Sequence, residues 1–247
     1  MLLGGKTAVV TGCLQGIGKA TMECFAEHGA DVFACCQAED AGFAAHIASL
    51  SERHRVEIMP VYFDFADEEA VKKAAIAIQK ARKPIDILVN VAGIARDAFF
   101  HMITMEQLKE TFAINFFSQI LFTQYITKLI LRNGGGSVIN VSSISAMDGN
   151  PGQLSYSSSK AALIAATKTL SAELAPQGIR VNAVAPGVIK TAMTENLPES
   201  VLERQLSRSE LKRFGLPAEV SGVMLYLASD LSSFVTGQVI RVDGGIG

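Results

Sequence analysis

The stretch Thr7-Ala8-Val9-Val10-Thr11-Gly12-Cys13-Leu14-Gln15-Gly16-Ile17-Gly18 changes character midway: a β-branched, apolar run gives way to glycines and then to a helical pattern from Gly16 to His28. A strand feeding a glycine turn and a helix is the opening of a βαβ unit. Glycines permit the tight turn and close backbone approach, and the helix N-terminus offers free N–H groups and a positive dipole to a pyrophosphate. The spacing G-x-x-x-G-x-G differs from the commoner G-x-G-x-x-G, and taken alone it suits a purely structural turn as well.

The same alternation continues along the chain. Asp31–Cys36, Glu57–Phe63, Ile85–Asn90, Ser137–Ser143, Ile179–Ala185 and Gln238–Val242 read as further strands. Helical patterns fill the spaces at Ala38–His54, Asp67–Arg82, Thr104–Arg132, Gly152–Pro176 and Pro217–Ser229. Runs such as Ile85-Asp86-Ile87-Leu88-Val89 are apolar on both faces, which suits a parallel sheet covered by helices on both sides. The fold class expected is α/β: a single-domain Rossmann fold over residues 1–247, a doubly wound parallel sheet of about seven strands flanked by helices. Ile144–Gly152 and Thr191–Gly215 are left as irregular loops. They follow strands, where such sheets bind ligands, so 191–215 is expected to form a substrate loop or lid.

Composition narrows the function classes. With 247 residues and a net charge of −2, the chain has no basic stripe for nucleic acid and no polybasic membrane patch. No run approaches the ~18 apolar residues of a membrane helix. Met1–Lys6 lacks the pattern of a signal peptide, so a cytoplasmic location is expected. The four cysteines, Cys13, Cys24, Cys35 and Cys36, have neither C-x-x-C spacing nor a nearby histidine at zinc-finger spacing, which argues for reduced thiols and against a metal site.

Chemistry concentrates at strand ends. Asn90-Val91-Ala92-Gly93 closes the fourth strand with small residues that let a ligand approach the backbone. Asp64, after the third strand, suits either an acceptor for an adenine amino group or a cap for the following helix. Tyr156 and Lys160 stand four apart and so share a helix face, where a cation can stabilise a phenolate. Ser143, at the end of the fifth strand, can hydrogen-bond an oxygen gaining negative charge, although Ser142 and Ser145 are close enough to compete for that role. Asn115 lies in an apolar helical pattern, where its amide serves either a water-holding or a local structural role.

In order and spacing, Thr11–Gly18, Asn90–Gly93, Asn115, Ser143, Tyr156–Lys160 and Pro186–Gly187 resemble the motif series of the short-chain dehydrogenase/reductase family, over the whole chain. The resemblance implies an NAD(P)(H)-dependent oxidoreductase moving a hydride between nicotinamide and a carbonyl or secondary alcohol. Tyr156 is then the general acid/base. Lys160 lowers its pKa and contacts the ribose, Ser143 polarises the carbonyl, and Asn115 carries a water toward Lys160. Gly12, Gln15, Gly16, Ile17, Gly18, Cys36, Asp64, Asn90, Ala92 and Gly93 would line the cofactor, as would Pro186, Gly187, Ile189 and Thr191. The family also implies a homo-oligomer, usually a tetramer.

The C-terminal pattern Arg213–Val220 and Phe234–Gly245 is most similar to 3-oxoacyl-(acyl-carrier-protein) reductases, which makes a 3-oxoacyl thioester the first-choice substrate. A steroid, a sugar or another alcohol is the alternative, and a non-catalytic dinucleotide-binding regulator a more distant one. Gly134 and Gln177 stand where those reductases carry basic docking residues, leaving only Lys128, Arg132, Lys168 and Arg180 nearby. A carrier protein is therefore a weaker expectation than a free small-molecule substrate. The second strand ends in Cys35-Cys36-Gln37 with no acid to repel a phosphate, so the cofactor leans to NADP(H) over NAD(H). Phe99, Phe100, Met102, Met147, Met193 and Leu197 point to a partly apolar substrate site, and His101 is a loop histidine with an open role.

Overall fold

Alternate residues of the first strand face opposite ways, and the core divides accordingly. Val10 packs with Met22, Phe25, Met224 and Leu227 on one side of the sheet, and Val9 with Leu88, Phe122, Ile126 and Ile78 on the other. Burying both faces is what forces helices onto both sides. The computed structural model describes residues 1–195 and 206–246, leaving aside the side chains of Met193 and Glu195.

Seven parallel strands form one sheet in the order β3-β2-β1-β4-β5-β6-β7. They are β1 (Thr7–Thr11), β2 (Asp31–Cys36), β3 (Ile58–Tyr62), β4 (Ile87–Asn90), β5 (Gly136–Val141), β6 (Ile179–Pro186) and β7 (Val239–Val242). The order reverses between β1 and β4, so a crevice opens at the carboxyl ends of these two strands. The described helices are α1 (Gly16–Glu27), α2 (Ala41–His54), α3 (Glu68–Lys80), α4 (Met105–Phe112), α5 (Ser118–Arg132), α6 (Ser145–Asp148), α7 (Leu154–Leu174), α8 (Ala192–Glu195) and α9 (Pro217–Ala228). No helix among the described residues is long and apolar enough to cross a membrane.

Three local features depart from the sequence expectation. The expected helix from Thr104 to Arg132 is interrupted at Ala113–Phe117 by a π-helical turn, which widens the helix where it carries Asn115 inward. The stretch 144–152 is not wholly irregular, because α6 forms a single turn directly after Ser143. The second helix starts at Ala41 rather than Ala38, because the Asp40 carboxylate caps it by accepting from the Phe43 amide at 2.6 Å. Of the expected lid, only 191–195 and 206–215 can be placed. Residues 196–205, Leu197 included, lie outside the described residues.

Candidate active site

The glycine turn is held in place by Thr11, whose hydroxyl accepts from the amides of Val91 at 2.9 Å and Ala92 at 3.0 Å. This stitches the end of β1 to the end of β4. Gly12 has φ +74°, and a Cβ there would stand 3.2 Å from the Ala92 backbone; at Gly18 it would stand 2.2 Å from the Gly12 carbonyl oxygen. Both positions therefore demand glycine. No side chain caps the first turn of α1, since Gln15 makes no capping hydrogen bond, and its amides are left for a ligand. These features fit a dinucleotide pyrophosphate.

From this turn a cavity of about 350 Å³ runs across the strand ends. Gly12, Gln15, Gly16, Ile17 and Gly18 line one end, with Cys36 and Asp64 beside them. Ala92, Gly93, Ser143, Tyr156 and Lys160 line the middle. Pro186, Gly187, Ile189 and Thr191 close the far wall. Leu14, within the glycine turn, and Gln37, at the end of the second strand, also line it, as does Phe65, which no sequence motif marks.

Asn90, expected at the cofactor site, and Asn115, expected to carry a water for catalysis, do not line the cavity. Asn90 is buried beneath the cavity, where its amide donates to Thr123 Oγ1 and Asn140 Oδ1, each at 2.9 Å, and so ties β4 to β5 and α5. Asn115 uses its amide on the loop after β4: Oδ1 accepts from Ile94 N at 2.8 Å, and Nδ2 donates to Ile94 O at 2.8 Å and Ser159 Oγ at 3.1 Å. These bonds fasten the loop after β4 to the helix that carries Ser159. Asp64 lines the cavity and is not the helix cap. Asp67 takes that place, accepting from Glu69 N and Ala70 N, while Asp64 accepts from Ala66 N and from Gln37 Nε2 at 3.1 Å.

The helical spacing of Tyr156 and Lys160 does bring them together: Lys160 Nζ stands 5.9 Å from the Tyr156 ring centroid. The ammonium donates to Val141 O at 2.8 Å and lies beside Gly93, where an added Cβ would be 3.3 Å from it. Burial pulls the lysine from its ordinary value of 10.5 down to about 8. The Tyr156 phenol is held above its ordinary value, chiefly by burial, with the Ser143 hydrogen bond acting in the opposite direction. Among the three serines the hydrogen bonds choose one. Ser142 Oγ donates to Lys160 O at 2.9 Å, and Ser145 Oγ pairs with Ser143 Oγ at 2.9 Å, which leaves Ser143 as the partner of Tyr156.

The apolar loop residues are open to solvent, Phe99 at 62% and Phe100 at 81% exposure, with Met102 and Met147 also exposed. His101 stacks on Phe99 with ring centroids 6.4 Å apart. Thr191 reaches back to the glycine turn, its Cγ2 lying 3.3 Å from where a Gly16 Cβ would stand.

A phenol, an ammonium and a serine hydroxyl gathered on a Rossmann crevice define a dinucleotide-dependent oxidoreductase. The sequence matches the Enoyl-(Acyl carrier protein) reductase family over residues 12–247. It is 43% identical to the 3-oxoacyl-(acyl-carrier-protein) reductase FabG of Thermotoga maritima, over 100% of this chain and 99% of that one. The FabG of Aquifex aeolicus is 38% identical, with 99% and 98% covered. Among solved structures, a provisionally described NAD(P)-dependent gluconate 5-dehydrogenase from Beutenbergia cavernae, with bound NADP at low occupancy, superposes with a TM-score of 0.93 at 31% identity, covering 98% and 97% of the two chains. The chain belongs to the short-chain dehydrogenase/reductase family, and it is an NAD(P)-dependent oxidoreductase acting on CH–OH groups.

Proposed function

We propose that this chain, acting as one domain over residues 1–247, reduces 3-oxoacyl thioesters with Tyr156 as general acid. The observation that carries the reading is the convergence of Tyr156, Ser143 and Lys160 on the cavity that begins at the uncapped glycine turn. The dinucleotide, when bound, supplies the hydride. The chain's residues handle the substrate oxygen: Ser143 donates a hydrogen bond as that oxygen gains negative charge, and Tyr156 Oη gives it a proton. A phenol held above its ordinary value is protonated at neutral pH, the form in which it can act as a general acid. Lys160 contacts the ribose, and the phenolate left after proton transfer takes up one proton from solvent to complete the cycle.

The cofactor is NADP(H) in preference to NAD(H). Cys36 and Gln37 stand at the end of the second strand, where a carboxylate would repel the extra phosphate. The thioester is proposed as a free small molecule ahead of a carrier-bound one. Arg180, one of the few bases near the docking region, is turned inward to the carbonyl oxygens of Leu227 at 2.8 Å and Ser229 at 3.3 Å. The chain works as a homotetramer, supported by the fully exposed Phe234 and the exposed Phe117. Its free cysteines suit a cytoplasmic setting.

The test is a turnover screen with NADPH and NADH over acetoacetyl-CoA, acetoacetyl carrier protein, keto-sugars, ketosteroids and simple ketones. Tyr156→Phe should lose about 10²-fold or more in kcat while its NADPH Kd stays unchanged. Full turnover by that variant would remove the general acid from the scheme. Turnover confined to keto-sugars or steroids would replace the substrate class.

A further inference from the structure

Ser143 lies past the end of β5, outside the sheet ladder, and its hydroxyl orientation depends on the turn that follows. Its Oγ accepts from Ser145 N at 3.2 Å and pairs with Ser145 Oγ at 2.9 Å, and both groups belong to the first residue of α6. A single helical turn does not hold itself, because nucleation fixes several residues for little hydrogen bonding in return. Something outside Ser145–Asp148 must set its position.

The last residue of that turn is gripped from the far end of the chain. Arg241, on β7, donates from its two terminal nitrogens to the Asp148 carboxylate at 3.0 and 2.8 Å, a planar fork that fixes orientation as well as distance. The guanidinium is itself aimed: Nε donates to Asp243 Oδ2 at 2.7 Å and a terminal nitrogen to Ile246 O at 2.6 Å. The segment carrying Asp243 is locked in turn. A Cβ at Gly187, in the far wall of the cavity, would stand 2.7 Å from Asp243 Cα, and Gly244 O accepts from Leu211 N and Ser209 Oγ, each at 3.1 Å. One anchor thus touches the serine turn, the cofactor wall and the distal end of the 191–215 segment.

We infer that Arg241 is a positioning residue for Ser143: through the Asp148 fork it holds α6 so that the serine hydroxyl meets Tyr156 and the substrate oxygen, in register with the Pro186–Gly187 wall. This rests on the proposed role of Ser143. Both partners of the fork are about one-third exposed, and such pairs contribute little to global stability, so loss of the fork should leave the fold intact. The effect belongs in geometry, where displacements of about 1 Å can cost ~10²-fold in rate.

Two readouts on the full chain separate the outcomes. Hydrogen exchange monitors the 143–149 peptide in wild type, Arg241→Lys and Asp148→Ala; faster exchange there in both variants, with β1 and β4 peptides and the melting temperature unchanged, is the expected result. Wild-type exchange at 143–149 in both variants overturns the inference whether or not a substrate is known. Turnover of acetoacetyl-CoA with NADPH supplies the second readout. Arg241→Lys should lower kcat by about ten- to a hundredfold with the KM for NADPH unchanged, and should cost little further in a Ser143→Ala background. Multiplicative losses in the double variant overturn the inference alone, whereas unimpaired turnover by Ser143→Ala overturns the role of the serine itself.

Discussion

Lys160 carries an ammonium into a wall that excludes water, and the consequence is a stability that depends on pH. Its ordinary value of 10.5 falls to about 8 on folding, so between those values the unfolded chain holds a proton that the folded chain has released. The contribution of this group to folding therefore rises as pH climbs from about 8 toward 10.5. Below that window both states are charged, and burial of the ammonium costs on the order of 3 kcal/mol. Lys160→Met should be more stable than wild type at pH 7, and urea unfolding should show the gap closing across this window. A gap that stays constant with pH would mean that the lysine is not the titrating group. Tyr156, Lys160 and Ser143 were legible as candidates only in company, because the motif series they share with a known family marked them where spacing alone did not. The balance of burial against the Ser143 bond on the phenol was not, because desolvation depends on what the fold stacks around a side chain.

At the scale of elements, boundaries follow local chemistry where caps are present and tertiary packing where they are not. Asp67 caps α3 by accepting from two amides in its first turn, while the nearby Asp64 serves the loop and Gln37. Asp67→Ala should cost about 1 kcal/mol in urea unfolding and leave NADPH affinity unchanged. A loss as large from Asp64→Ala, with none from Asp67→Ala, would reverse the assignment. The π-helical turn at Ala113–Phe117 is the opposite case. Its apolar pattern reads as one continuous helix, and the extra residue per turn is explained only by Asn115 reaching Ile94 and Ser159 from other parts of the fold. The short α6 is likewise fixed by Arg241, a residue 93 positions away, and leaves no trace in its own sequence.

For the whole molecule, exposed apolar side chains bear on assembly. Phe234, in the loop before β7, is fully exposed, and Phe117, in the π-helical turn, is 57% exposed. Multi-angle light scattering at micromolar concentration should give the mass of a tetramer, and Phe234→Asp should shift it to smaller species. A strict monomer for the wild type would remove the proposed assembly. The parallel sheet, its covering helices and the glycine turn were determined by the sequence itself, because periodicity and turn chemistry are properties of neighbouring residues. Only the tertiary structure decided that Ser143, and not Ser142 or Ser145, meets the phenol, that Asn90 and Asn115 serve as buried ties, and that Arg241 grips the serine turn. Each depends on contacts between residues distant in the chain, where direction and burial are set by the packing of the whole sheet.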